Sequence, residues 1–347
     1  MFIYYQNLRK EIDVRQKWLE TVLTGEKKWI LENQGPEGEF YMNGSKAGDV
    51  NPYFACMAAL GLLAETKNCL ITETEKKAVN RYLDWHTGIL LETDGKMGIY
   101  RKKSGKLIYK EKADSEDGYL GMYLFLMVKY LEKTESTDLP EYWKKGISLA
   151  LKKIQSLMQD GITQVSEENT TVYLMDNLEV WKGLYELEHA GLKDVQAIRE
   201  MCNKLQAQIE KLFWDDANQR WRIIENSDLY HQKEFYPDGV AQIYPLIYEF
   251  PVKEKKKQKI LYEQFTERFQ WQKLTKKRNG FLWAMTGMAA AQMGDINNLL
   301  EMIRNYEAEY CENRKYPLYT GEAGWICMEC EKLYSLYERK IKTGFLV

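Results

Sequence analysis

Six segments of the chain begin with an acid or amide and continue into mostly apolar residues. They read Asp49-Val-Asn-Pro-Tyr-Phe-Ala-Cys-Met, Asp117-Gly-Tyr-Leu-Gly-Met-Tyr, Asp176-Asn-Leu-Glu-Val-Trp, Asp238-Gly-Val-Ala-Gln-Ile-Tyr, Asn279-Gly-Phe-Leu-Trp-Ala-Met and Glu322-Ala-Gly-Trp-Ile-Cys-Met. Each acid, taken singly, suits a helix N-cap, where a bond to a first-turn N–H is worth about 1 kcal/mol. Asp114-Ser115-Glu116-Asp117 goes further, placing three acids in four residues where one cap suffices. Crowding and partial burial raise the pKa of one carboxyl until it can act as a general acid. A second stays ionised, helped by the positive ends of helix dipoles. Such a pair, roughly 6.5–9.5 Å apart with a water beside the base, is what inverting cleavage of a glycosidic bond needs.

Acids so far apart in sequence require a scaffold that gathers them. A unit recurring every roughly 40–70 residues is an architectural repeat. Between the apolar segments lie charge-rich amphipathic helices, expected over Arg15–Asn33, Glu73–Thr87, Pro140–Met158, Asp194–Phe213, Lys253–Trp271 and Ile296–Tyr310. Their apolar stripes suit an outer layer, while helices apolar nearly all round suit an inner one. Links leading into the apolar helices are long: Gln34–Gly48, Glu92–Glu116, Asp160–Met175 and Asp215–Pro237. Links leading out are short, as at Glu65–Ile71 and Gly191–Lys193. The long loops share the rim that carries the acids, and long loops on one rim are where function resides. Alternation and turn residues place β-hairpins within Gly98–Tyr109 and Gln219–Ile224. The expected fold is an all-α (α/α)6 barrel, a six-hairpin toroid with small β-hairpins in the rim loops. No Gly/Ser/Pro-rich linker divides residues 1–347, so a single domain is expected.

Composition narrows the partners. The 347 residues are 45% hydrophobic, as in a globular protein, with a net charge of −2. That balance speaks against nucleic-acid and membrane-surface binding. The basic clusters Lys253–Lys259 and Lys273–Arg278 read as solvated faces. No stretch reaches transmembrane length, and the first ten residues hold too short an apolar run for a signal peptide. The six cysteines are dispersed, with Cys56, Cys327 and Cys330 in apolar helices. Free thiols in a reducing compartment, hence a cytoplasmic location, follow. Cys327-x-x-Cys330 lacks a second pair or a nearby His, so neither zinc nor any other metal or cofactor is expected. Ten Trp and 24 Tyr fill wide helical cores and also stack on sugar faces. Tyr119, Trp181, Tyr236, Trp283 and Trp325 fall near inner-helix starts and are platform candidates; Trp18, Trp29 and Trp143 belong to outer helices. Trp214 and Trp221 flank a long rim loop and suit the capping of a hairpin.

Over essentially its whole length the pattern resembles the six-hairpin glycosidase superfamily, most nearly glycoside hydrolase family 8. That family opens its first inner helix with Ser-Glu-Gly-x-x-Tyr-Gly-Met, whose Glu is the general acid. Gly48-Asp49-Val50-Asn51-Pro52-Tyr53-Phe54-Ala55 is the comparable stretch, with Asp49 at the acid position and Tyr53 retained. The family's Asp-x-Asp ahead of the second inner helix is similar to Asp114-Ser115-Glu116, and its late Tyr-x-Asp to Tyr319-Thr320-Gly321-Glu322. Asp replaces Glu here, and the two glycines around it are missing. The resemblance implies Asp49, or else Glu37 in Pro36-Glu37-Gly38-Glu39, as general acid. Asp114, Glu116 or Asp117 would activate water; Asp176, Asp238 and Glu322 would bind sugar hydroxyls of an oligo- or polysaccharide.

Other chemistries fit less well. Sugar epimerisation on this barrel depends on paired histidines, but the three present, His86, His189 and His231, are scattered. Asp215-Asp216 is followed by Ala-Asn-Gln, not by the Asp that terpenoid cyclisation requires. No phosphate-cradling Gly-rich loop occurs. The alternative is a catalytically silent barrel that binds a glycan or a protein. Oligomeric state is not encoded in any feature above.

Overall fold

The computed structural model describes residues 2–44, 48–103, 106–136, 139–191, 195–225, 234–274 and 280–343. His231, Asn279 and residues 275–278 of the second basic cluster lie outside the described residues.

Among the described residues twelve α-helices alternate between two layers. The inner layer consists of α2 (Pro52–Leu62), α4 (Glu116–Lys133), α6 (Leu174–His189), α8 (Val240–Ile247), α10 (Thr286–Met293) and α12 (Thr320–Thr343). Each packs on the next, and α12 returns to α2, so the ring closes. The outer layer consists of α1 (Phe2–Glu32), α3 (Glu73–Glu92), α5 (Glu141–Leu157), α7 (Val195–Phe213), α9 (Lys255–Phe269) and α11 (Ile296–Tyr306). Outer helices rest on the inner helices beside them, α3 on α2 and α4, for example, and α11 on α10 and α12. This is the (α/α)6 toroid expected from the sequence.

Burial explains the layering. In α4 every residue from Glu116 to Val128 is buried, as a helix flanked on all sides must be. By contrast α5 buries Trp143, Gly146, Ile147, Ala150, Ile154 and Leu157, a single stripe. The inner helices approach closely through glycine. A Cβ on Gly183 of α6 would sit 2.3 Å from the Gly121 carbonyl oxygen of α4. One on Gly324 of α12 would sit 2.1 Å from the Met57 carbonyl oxygen of α2. Side chains at these crossings would hold the ring open.

The helix starts show what the rim acids are not. The cap of α2 is Asn51, which accepts the Tyr53 N–H at 2.9 Å. The cap of α4 is Ser115, which accepts the Gly118 N–H at 3.2 Å. In α6 no side chain caps the first turn. Asp49, Asp114, Asp117 and Asp176 therefore serve none of these caps. Asp238 lies in a π-helical turn, Phe235–Gly239, ahead of α8. The fifth inner helix begins at Thr286, later than the Asn279 start expected, and Trp283 precedes it with φ +60°.

Small sheets decorate the rim. The expected hairpin forms from β2 (Gly98–Lys103) and β3 (Lys106–Lys112), and β1 (Asp49–Val50) adds a third antiparallel strand. Two-residue ladders join β4 (Met158–Gln159) to β5 (Ile162–Thr163), and β6 (Trp214–Asp215) to β7 (Arg220–Trp221). The second ladder falls where the Gln219–Ile224 hairpin was expected; the first was not foreseen. Among the described residues no helix is long and apolar enough to cross a membrane. All six cysteines are free thiols.

Candidate active site

A cavity of about 210 Å³ opens where the inner helices begin. Tyr53, Phe54 and Met57 line it from α2, with Asn51 just ahead of that helix. Asp114, Ser115 and Tyr119 line it from the start of α4, and Met175, Asp176 and Glu179 from α6. The remaining wall comes from Tyr236, Tyr244, Phe281, Trp283 and Met285, and from Glu322 and Trp325 of α12.

Glu179 sits one turn below Asp176 in α6 and is almost fully buried. Three phenols converge on its Oε1: Tyr53 at 2.5 Å, Tyr244 at 2.6 Å and Tyr248 at 3.3 Å. Burial keeps all three phenols protonated, so each remains a donor. Gly118 is what lets Oε2 stand where it does, since a Cβ there would meet that oxygen at 2.5 Å. Burial pushes the Glu179 carboxyl up to about 8, against the pull of the Tyr244 and Tyr53 hydroxyls. With the donors gathered on Oε1, Oε2 is the oxygen able to carry a proton near neutral pH.

Glu322, in the first turn of α12, is held differently. Oε1 accepts the Leu282 and Trp283 N–H groups, both at 3.2 Å, and Oε2 accepts that of Ala284 at 2.8 Å. Burial raises this carboxyl to about 7, and the three N–H groups oppose the rise. Backbone N–H groups only donate, so they favour the charged form of Glu322 over the protonated one. Two carboxyls of one cavity are thus both raised by burial but held differently, one by phenols gathered on a single oxygen and one by backbone N–H groups on both.

Other acids of the rim divide into three groups. Asp114 and Asp176 line the cavity. Burial raises Asp176 well above the carboxylate range, reinforced by the nearby charges of Asp117 and Glu179. Glu116 and Asp117 stand behind the wall. Asp117 accepts the Ser115 hydroxyl at 2.9 Å and that of Thr163 at 2.8 Å, and burial raises it to about 6. Glu116 lies 3.6 Å from Lys112; burial raises its pKa and Lys112 opposes the rise. Asp49, Glu37 and Asp238 do not reach the cavity. Asp49 faces Arg101 across the β1–β2 ladder and binds its guanidinium at 2.5 and 3.0 Å and Lys110 at 2.9 Å. The Arg101 hydrogen bond holds the Asp49 pKa below its ordinary value, the opposite of what a general acid requires. Glu37 is exposed on its loop. Asp238 lines a separate groove with Gln242 and Arg268.

Among the aromatics, Tyr53, Tyr119, Tyr236, Trp283 and Trp325 do face the cavity. Tyr236 and Trp283 pack with centroids 4.6 Å apart, and Phe54 stacks on Phe281 at 5.4 Å. Trp325 donates to the Met57 sulfur at 3.1 Å. Trp181 is placed elsewhere: it is buried in the core, stacked on Tyr185 and edge-on to Phe250. Sequence reasoning passed over Glu179, Tyr244, Asn51 and Phe281. The signal for Glu179 was its position between Leu178 and Val180, an acid in the apolar run ahead of Trp181.

No protein-family model matches the sequence, and no curated protein matches it. Solved structures do resemble it in fold. A wild-type glycosidase superposes with a TM-score of 0.66 at 12% identity, over 93% of this chain and 98% of its own. A glycosidase variant with one glutamate replaced by alanine, solved in complex with glucose, has a TM-score of 0.61 at 13% identity, over 94% and 98%. The α-mannanase of glycoside hydrolase family 76 from Bacteroides thetaiotaomicron has a TM-score of 0.56 at 12% identity, over 94% and 97%. At these identities the likeness is one of fold, the (α/α)6 toroid that these glycosidases share with the chain. The family 8 motif alignment, which put Asp49 at the acid position, is not supported by where Asp49 lies.

Proposed function

We propose that the chain is a glycoside hydrolase of oligo- or polysaccharides, working by inversion as one domain, with Glu179 as general acid and Glu322 as general base. One observation carries this reading: two buried carboxyls, raised to about 8 and about 7, share a small aromatic cavity. They come from α6 and α12, three steps apart in a ring of six, so they approach a bound sugar from opposite sides. In this mechanism the Glu179 proton passes to the glycosidic oxygen as the bond to the anomeric carbon breaks. Glu322 takes a proton from a water attacking that carbon from the other face, and the product carries the inverted configuration. Asp114, Asp176 and Asn51 bind ring hydroxyls, while the Phe54–Phe281 and Tyr236–Trp283 pairs form the platform. The solved glycosidase holding glucose supports the choice of a sugar as ligand. Six free thiols support action in a reducing compartment such as the cytoplasm.

The test is a hydrolysis screen over a glycan panel, with NMR of the anomer first released. Glu179→Gln and Glu322→Gln should each lower kcat/KM by roughly 10²–10⁴-fold. Cleavage that survives both substitutions refutes the assignment. Retained configuration refutes inversion, and glycan binding without turnover favours the silent barrel.

A further inference from the structure

Four carboxyl groups, those of Asp114, Asp176, Glu179 and Glu322, open into a space of only about 210 Å³. Among the described residues lining that space there is no Lys, Arg or His. Among the described residues, three cations on the neighbouring strands are already engaged. Arg101 and Lys110 both hold Asp49, two residues ahead of the lining Asn51, and Lys112 pairs with Glu116 and Glu168. The rest of the wall is aromatic or thioether, including Phe54, Phe281, Trp283, Met57 and Met285. Such a surface takes the C–H face of a ring and some well-placed hydroxyls. A carboxylate, phosphate or sulfate on that ring would lose its water without gaining a counter-ion from the described lining.

We propose that the sugar unit held in this cavity carries no negative charge. Neutral hexoses, deoxyhexoses and amino sugars meet the requirement; uronic acids, sialic acids, sugar phosphates and sulfated sugars do not. Ring hydroxyls hydrogen-bond to Asp114 and Asp176. In its turnover arm this inference rests on the hydrolase reading, whereas its binding arm does not.

The test uses the full chain with matched pairs: aryl glucosides, mannosides and galactosides of both anomers against the corresponding uronides and 6-phosphates. Calorimetry with neutral and uronic oligosaccharides runs in parallel. The expected result is a neutral member cleaved or bound about 100-fold better than its acidic partner, the scale of leaving a desolvated charge unpaired. An acidic member within tenfold of its neutral partner overturns the proposal, whether or not hydrolysis stands. Neutral binding without any cleavage sinks the hydrolase reading and leaves this one standing. A chain that neither binds nor cleaves any member overturns both.

Discussion

The three phenols on Glu179 make a quantitative claim about pH. In Tyr244→Phe the ring remains and the 2.6 Å hydrogen bond to Oε1 is lost. That bond is worth most to the ionised carboxyl, because hydrogen bonds to charged groups contribute about 1.5–3 kcal/mol against roughly 1 for neutral ones. Removing it therefore disfavours the carboxylate by the difference, roughly 0.5–2 kcal/mol, or about one pH unit at 1.36 kcal/mol each. Tyr53 and Tyr248 still donate to the same oxygen, so the carboxyl does not lose its orientation. The sign follows directly. A general acid works while protonated, and a higher pKa keeps it protonated further into the alkaline range. The alkaline limb of kcat/KM, placed near the value of about 8 for Glu179, should move up by about one unit. The assay is a pH–rate profile of kcat/KM for the wild type and Tyr244→Phe on the best glycan of the panel. A limb that stays put or moves to lower pH refutes the reasoning, even if the variant is slow.

Further outcomes follow from the same geometry. The folded chain holds the Glu179 proton up to about pH 8, against an ordinary value of 4.5, so this group's stabilising contribution is full below that ordinary value and is lost as pH rises through about 8. Glu179→Gln should therefore raise stability at pH 8 by about 2 kcal/mol or more and change it little at pH 4, read by denaturant melts; a difference independent of pH contradicts this. Asp49→Asn breaks the pairs with Arg101 and Lys110 outside the cavity, so kcat/KM should stay within about threefold and stability within about 1 kcal/mol; a hundredfold loss would restore Asp49 to the chemistry. Gly324→Ala forces a Cβ against the Met57 carbonyl and should cost about 1–3 kcal/mol in a denaturant melt, with an unchanged midpoint counting against the close crossing of α2 and α12.

The toroid was readable because its signals are local and repeated. Helices such as Glu141–Leu157 show one apolar stripe, helices such as Pro52–Leu62 are apolar throughout, and the long loops all fall on one side of the repeat. The site was only partly readable, for the same reason. A helix apolar on every side has no stripe to say which residues look inward. Trp181 and Glu179 are two positions apart in α6; the tryptophan packs on Tyr185 and the glutamate meets three phenols, from α2, from α8 and from the residue that ends α8. Asp49 misled for another reason. Its local context looks like a helix start, but its carboxylate is decided by Arg101, some fifty residues later, through a strand pairing that no short-range pattern announces. Glu322 was identified as a sugar ligand from its place at a helix start. Its role as acceptor of the Leu282–Ala284 backbone depends on a loop whose path only the closed ring defines.

That last contact makes Glu322 a clasp as well as a charge. Both of its oxygens tether the stretch bearing Trp283, one of the two partners in the Tyr236–Trp283 pair. Any replacement at this position unfastens a grip on the backbone of Trp283 while it removes the proposed base. The kinetic deficit of such a variant is then a sum of two losses, and an engineer wishing to alter sugar preference will find the loop easier to re-aim than the carboxylate that anchors it.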